Sequence, residues 1–186
     1  MTLKDLYLWL LKDDKRSLLY KLIHRYAKKA RHITEFGTGK WLITTAILWG
    51  QGKYTKLISY DLVGNKEVKE LKEVAKAERK YFSYLWWDTT SLTIDKTDML
   101  IIDTKHNANY LWAELYDNAM QVDKYIIVCG TGEFGEFWEE EWHLGLNNCL
   151  KKFTDENTSW KIKVSDTEWY WFTVLERKGV IEKICW

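Results

Sequence analysis

The stretch from Ile33 to Asp61 constrains this chain more than any other. A β-branched and aromatic run, Ile33-Thr-Glu-Phe36, breaks into Gly37-Thr-Gly39 and continues as an apolar helical pattern over 42–49. A second such run, Lys56-Leu-Ile-Ser-Tyr60, then ends in Asp61. Strand, glycine turn, helix and acidic strand end are the parts of a nucleotide-binding βαβ unit. Gly37 and Gly39 let the backbone approach a ligand, and Asp61 is placed to accept hydrogen bonds from ribose hydroxyls. The third glycine position of such a loop holds Trp41. Two readings of this indole stay open: it enters the ligand space, or it faces the helices as core.

The rest of the chain repeats the alternation. Apolar residues at Leu3, Leu6, Tyr7, Leu10 and Leu11 predict a first helix, and the run Leu18, Leu19, Leu22, Ile23 and Tyr26 predicts a second, with Ser17 as its N-cap. Strand-like runs follow at 33–36, 56–60, 81–85, 99–102, 125–128, 161–164 and 170–175, with helical patterns at 42–49, 66–79, 108–121 and 143–153. The expected fold class is α/β: a Rossmann-like, doubly wound, mostly parallel seven-stranded sheet with helices on both faces. The short break at 165–169 makes the last two strands a C-terminal antiparallel hairpin. A chain of 186 residues suits a single domain. Its expected divisions are two N-terminal helices over 1–30, the sheet and its helices over 31–177, and a tail over 178–186.

Charge and composition narrow the function classes. With 28 basic and 27 acidic side chains well mixed, the chain carries no footprint for nucleic acid or an anionic membrane. No window reaches membrane-spanning length and the N-terminus lacks a signal-peptide core, so a soluble cytoplasmic protein is expected. Cys129, Cys149 and Cys185 form no CxxC pair, which predicts free thiols and no zinc site. Proline is absent and tryptophan occurs 12 times, against an average proline usage of about 5%. These skews fit a sequence altered by design or one from an unusual lineage.

The order of five α/β units closed by an antiparallel hairpin resembles the class I S-adenosylmethionine-dependent methyltransferases. Thr34-Glu-Phe-Gly-Thr-Gly39 is similar to that family's first motif, Ser59-Tyr-Asp61 to its acidic second motif, and Asp88-Thr-Thr-Ser91 to its adenine-side third motif. Thr97-Asp-Met-Leu-Ile-Ile-Asp103-Thr-Lys-His106 and Tyr125-Ile-Ile-Val-Cys-Gly-Thr131 resemble the fourth and fifth strands of the branch that includes the cephalosporin hydroxylase-like and related small methyltransferases. The resemblance implies S-adenosylmethionine as cofactor, held at Gly37 and Gly39 by backbone, at Asp61 through the ribose and at Asp88 through the adenine amino group, with Glu35 ordering the glycine turn. It implies a role near the methyl group or a divalent metal for Asp103, and methyl transfer to a small-molecule hydroxyl or amine; His106, read from the residues, is the neighbouring catalytic imidazole.

Several residues carry a second, plainer reading. Asp103 caps the next helix and His106 lies at the surface, unless the two form a base or metal site. Where the branch reads His-Asp-Thr after its fifth strand, this chain reads Cys129-Gly130-Thr131; one hard oxygen ligand is too few for Mg2+ or Ca2+, so no metal is expected. Glu133, Glu136 and Glu139–Glu141 with His143 form an acidic loop, read as solvated. Cys129 is read as a small buried hydrophobe rather than a nucleophile. Trp41, Trp87 and Gly130, with the absent proline and excess tryptophan, support an alternative to transferase activity: a redesigned scaffold whose pocket is filled or recut with aromatics. A non-catalytic interaction module, anchored by Trp138, Trp142 and Trp186, is the third reading.

Overall fold

Side chains on successive strand residues point to opposite faces, and the central strands here are apolar on both. Met99 and Ile101 enter one core layer while Leu100 and Ile102 enter the other; Tyr125 and Ile127 divide from Ile126 and Val128 in the same way. Such continuous runs belong to strands covered on both sides. The structure, a computed structural model, describes residues 1–13, 15–136, 145–166 and 172–179. Its strands are β1 His32–Phe36, β2 Lys56–Asp61, β3 Tyr81–Trp86, β4 Thr97–Ile102, β5 Val122–Cys129, β6 Trp160–Asp166 and β7 Phe172–Arg177. They form one sheet in the order β3-β2-β1-β4-β5-β7-β6. The first five are parallel, and β7 is antiparallel to both β5 and β6. The expected doubly wound sheet with its C-terminal hairpin is therefore observed.

The helices are α1 Leu3–Leu10, α2 Ser17–Ala27, α3 Leu42–Gly50, α4 Lys66–Ala77, α5 Ala108–Asn118 and α6 Leu146–Glu156. One core layer joins α1, α2, α3 and α4 to the sheet, and the other joins α5 and α6. α1 starts on a capping box in which Thr2 and Asp5 satisfy each other's backbone N–H groups. Ser17 does not cap α2 as expected. It is the first helical residue, and Arg16 stands at the cap with no side-chain bond to the helix. Between β3 and β4 there is only a 3-10 turn, Thr89–Ser91, capped by Asp88. Among the described residues no helix is long and apolar enough to cross a membrane.

The chain winds outward in opposite directions from β1 and β4, which are neighbours in the sheet. The loops leaving their carboxyl ends diverge, and ligands of open α/β sheets bind in the crevice so formed. Gly37, Asp61, Asp88 and Asp103 all lie in loops or strand ends on this side of the sheet.

Candidate functional site

Close approach of two backbones creates the floor of the crevice. The Gly37 N–H donates to Tyr60 O at 2.8 Å, and the Asp103 N–H donates to Phe36 O at 2.9 Å. A Cβ at Gly37 would lie 2.2 Å from Asp103 O, and its φ is +80°, so only glycine fits. Asp61 braces this turn from β2. Its Oδ2 accepts from the Thr38 and Gly39 N–H groups at 2.9 Å each, and Oδ1 accepts from Val63 N–H at 3.1 Å. Carboxylate oxygens hold about two lone-pair sites each, so acceptor capacity toward a ligand hydroxyl remains. Asn65, the N-cap of α4, closes the arrangement by donating Nδ2–H to Gly39 O at 2.8 Å.

Two cavities flank Asp103. The first, about 260 Å3, is bounded by Gly37, Gly39, Asp61, Trp87, Asp88 and Thr104. The second, about 320 Å3, is bounded by Arg16, Tyr20, Thr38, Lys40, His106 and Gly130. Asp103 lines both, so five of the seven expected site residues border the first space and two the second, with Asp103 shared. That tally leaves out only Glu35. Asp88 meets the first cavity while its Oδ1 accepts from Thr90 N–H at 3.0 Å and Thr90 Oγ1–H at 2.7 Å.

Asp103 and His106 come together as expected. His106 Nε2 stands 3.6 Å from Asp103 Oδ1, and its ring stacks on Phe134 with centroids 4.6 Å apart and planes 14° from parallel. Gly130 permits this placement: at φ +81°, a Cβ there would lie 2.1 Å from His106 Cδ2. The glycine that replaces a carboxylate in the resembled branch therefore makes room for the imidazole. Among the described residues no three His, Cys, Asp or Glu side chains converge to hold a metal. Cys129 forms part of the same wall, where burial pushes its thiol well above the ordinary range and away from the reactive thiolate.

Glu35 sits elsewhere than its expected role implies. It is fully buried and borders neither cavity. Thr44 Oγ1–H donates to both of its oxygens at 3.0 Å and Ser59 Oγ–H donates to Oε2, so Glu35 ties β1 to α3 and β2. It acts on the glycine turn only through those elements. Burial, eased by these hydroxyls, pushes its carboxyl up to about 8, and the negative charges of Asp103 and Asp61 add to the rise.

Trp41 does not enter either cavity, which overturns the blockage reading. It caps α3 in the left-handed region at φ +63°. That conformation explains why the position suits glycine. From there the indole packs against the core layer of α1–α3 and stacks on Trp9, with centroids 6.1 Å apart and planes at 24°. Trp87 borders the first cavity without filling it, and Trp86 lies exposed against Gly64. Glu136 is described; Glu139–Glu141, His143, Trp138, Trp142 and Trp186 lie outside the described residues.

Sequence reasoning missed Glu114. It is buried on α5 and accepts from Thr89 Oγ1–H at 2.5 Å and Thr104 Oγ1–H at 3.0 Å, joining the two walls of the first cavity from below. Burial pushes its carboxyl up to about 7. A signal existed: Glu114 and Asn118 share the inward face with Leu111 and Leu115, and acidic groups are rarely buried without partners. Arg16 was missed as well, with no local pattern to mark it, and Thr38, although inside the Gly37-Thr-Gly39 turn, was given no role.

No protein-family model matches the chain, and no curated protein matches it in sequence. Solved structures do. The SAH-bound methyltransferase PaMTH1 of Podospora anserina superposes with a TM-score of 0.63 at 15% identity, over 95% of this chain and 87% of that one. An O-methyltransferase of Bacillus cereus in complex with SAH gives 0.63 at 12% identity, over 94% and 89%. A putative caffeoyl-CoA O-methyltransferase of Staphylococcus aureus gives 0.64 at 8% identity, over 86% and 83%. The chain shares its Rossmann-like fold with these methyltransferases.

Proposed function

We propose that the chain binds S-adenosylmethionine across the two cavities and transfers its methyl group to a small-molecule hydroxyl or amine. The observation that carries this reading is Asp103, shared between a space edged by Asp61 and Asp88 and a chamber edged by His106. The residues present suit the cofactor. The Gly39 Cα faces open space, and Thr38 Oγ1 is buried with no hydrogen-bond partner on the wall of the chamber. Such an orphaned hydroxyl calls for a polar ligand group. Asp61 would hold the ribose and Asp88 the adenine amino group, with Thr38 and the backbone at Gly37 and Gly39 along the methionine portion.

Bound there, S-adenosylmethionine would supply a sulfonium methyl for an acceptor lone pair, with the C–S electron pair left on sulfur as a neutral thioether. His106 would take the proton released by the acceptor, with Asp103 Oδ1, 3.6 Å from Nε2, stabilising the resulting imidazolium. Phe134 fixes the ring plane, and Gly130 leaves the ring its space. Holding the acceptor against the methyl carries most of the rate enhancement in such a reaction.

Calorimetric titration with S-adenosylhomocysteine tests the reading. Binding tighter than about 100 μM, equivalent to about −5.5 kcal/mol, is expected, with a loss of about tenfold or more in Asp61→Ala, whose carboxylate forms charge-assisted hydrogen bonds. Absence of heat from a folded wild-type chain overturns it.

A further inference from the structure

A third cavity, about 280 Å3, lies beyond the chamber on the side of α1 and α3, lined by Trp9, Leu10, Lys12, Asp13, Tyr20 and Leu42. Tyr20 and Leu42 also line the chamber that holds Asp103 and His106. The two spaces therefore adjoin across one tyrosine and one leucine. Arg16, Lys40, Asp103 and His106 line the chamber together with the apolar Leu19, Leu42 and Ile43, and the third cavity adds Trp9 and Leu10 beside Lys12 and Asp13.

On the wall of the third cavity stands Trp9, 55% exposed on α1 and backed by the stacked indole of Trp41. Trp41 holds this position only by adopting φ +63°, which a glycine would adopt without strain. A strained residue that persists points to a use for its side chain. Here that use is rigid support for an exposed aromatic face on the wall of the cavity that adjoins the chamber. Flat apolar molecules pair with such faces by offset stacking.

Resting on the methyltransferase reading above, we propose that the acceptor is elongated: its reacting group lies at Asp103 and His106, and its distal, flat, apolar end stacks on Trp9. The structure thus assigns Trp9 as a specificity-determining residue and Trp41 as its support.

The test uses two hydroxyl compounds that differ only in reach, phenol and 4-hydroxybiphenyl, titrated calorimetrically into the wild-type chain, Trp9→Ala and Trp41→Gly, with and without saturating S-adenosylhomocysteine. Because burial and stacking of the second ring favour the longer probe, wild type is expected to bind 4-hydroxybiphenyl about tenfold more tightly than phenol. In Trp9→Ala that preference falls below about threefold while phenol affinity is unchanged, since only the stacking face has been removed. Trp9 lies on the exposed side of α1, and its replacement is read against a thermal melt to confirm folding. Equal affinities in wild type, or an undiminished preference in folded Trp9→Ala, overturn the inference. If the chain prefers the biphenyl but does not bind S-adenosylhomocysteine, the methyltransferase reading fails and the assignment of the cleft to an acceptor fails with it. If S-adenosylhomocysteine binds and the biphenyl preference is absent, only the acceptor assignment fails.

Discussion

Replacing Glu35 by Gln should make the fold more stable, by an amount that grows with pH. Glu35 is fully buried between β1, β2 and α3, and its carboxyl is held near 8 against an ordinary 4.5. Below pH 4.5 the folded and unfolded chains both carry the proton, and the site costs nothing. As pH rises from 4.5 toward 8, the unfolded chain releases a proton that the folded chain keeps, so stability falls throughout that window and levels off above it. Between pH 5 and pH 7 this single group removes about 2–3 kcal/mol, from about 1.4 kcal/mol for each pKa unit and allowing for partial titration at both ends. Gln resembles the protonated acid: one oxygen still accepts from Thr44 or Ser59, and the amide takes the place of the O–H donor. Urea unfolding followed by tryptophan fluorescence at pH 5, 6, 7 and 8 measures both proteins. Glu35→Gln should gain on wild type by about 2–3 kcal/mol between pH 5 and pH 7, with the gain growing little beyond pH 8. Parallel stability curves for the two proteins would show that Glu35 ionises in the folded state at its ordinary pKa, and the burial argument would be refuted.

Further expectations follow from the same geometry. Trp41→Gly relieves a left-handed conformation worth about 1–2 kcal/mol but loses a partly buried indole and its stacking on Trp9, worth about 2–4 kcal/mol together. The melting temperature should therefore fall modestly while S-adenosylhomocysteine affinity stays within about twofold, a difference below 0.5 kcal/mol; a large gain in affinity would restore the blockage reading. Gly130→Ala places a methyl group where His106 Cδ2 stands and imposes φ +81° on a residue with a Cβ. It should displace the imidazole from Asp103, seen as a shift of the His106 ring resonances by NMR, and abolish methyl transfer without abolishing S-adenosylhomocysteine binding. Unshifted ring resonances would mean that the β5 loop yields instead.

The alternation of strands and helices was readable because it depends on local periodicity. Ile33–Phe36 and Lys56–Tyr60 match β1 and β2 closely, and the helical spacing over 66–79 matches α4, because the faces these residues bury are set by pitch and pleat. Helix capping was less readable: Ser17 has the right chemistry for a cap, yet the loop delivers Arg16 to that position. Asp61 was placed correctly at a strand tip, but that its oxygens grip the Thr38 and Gly39 amides depends on β1 and β2 lying side by side. Glu35, read from its motif as part of the turn, bonds instead to Thr44 and Ser59. Its face of β1 turns toward α3, and nothing local to residue 35 reports that choice.

By itself the sequence determined a doubly wound sheet with a glycine turn, an acidic strand tip and a pair of polar residues after the fourth strand. All of these are written in contiguous residues and enforced by backbone geometry. Only the tertiary structure decided which way Trp41 points, that Gly130 leaves room for His106, that Glu114 ties Thr89 to Thr104 behind the first cavity, and that Trp9 lines a cavity adjoining the chamber. Each of these depends on contacts between residues distant in the chain, such as 9 with 41, 106 with 130 and 89 with 114, and a side chain's direction there is settled by which space the packed elements leave open.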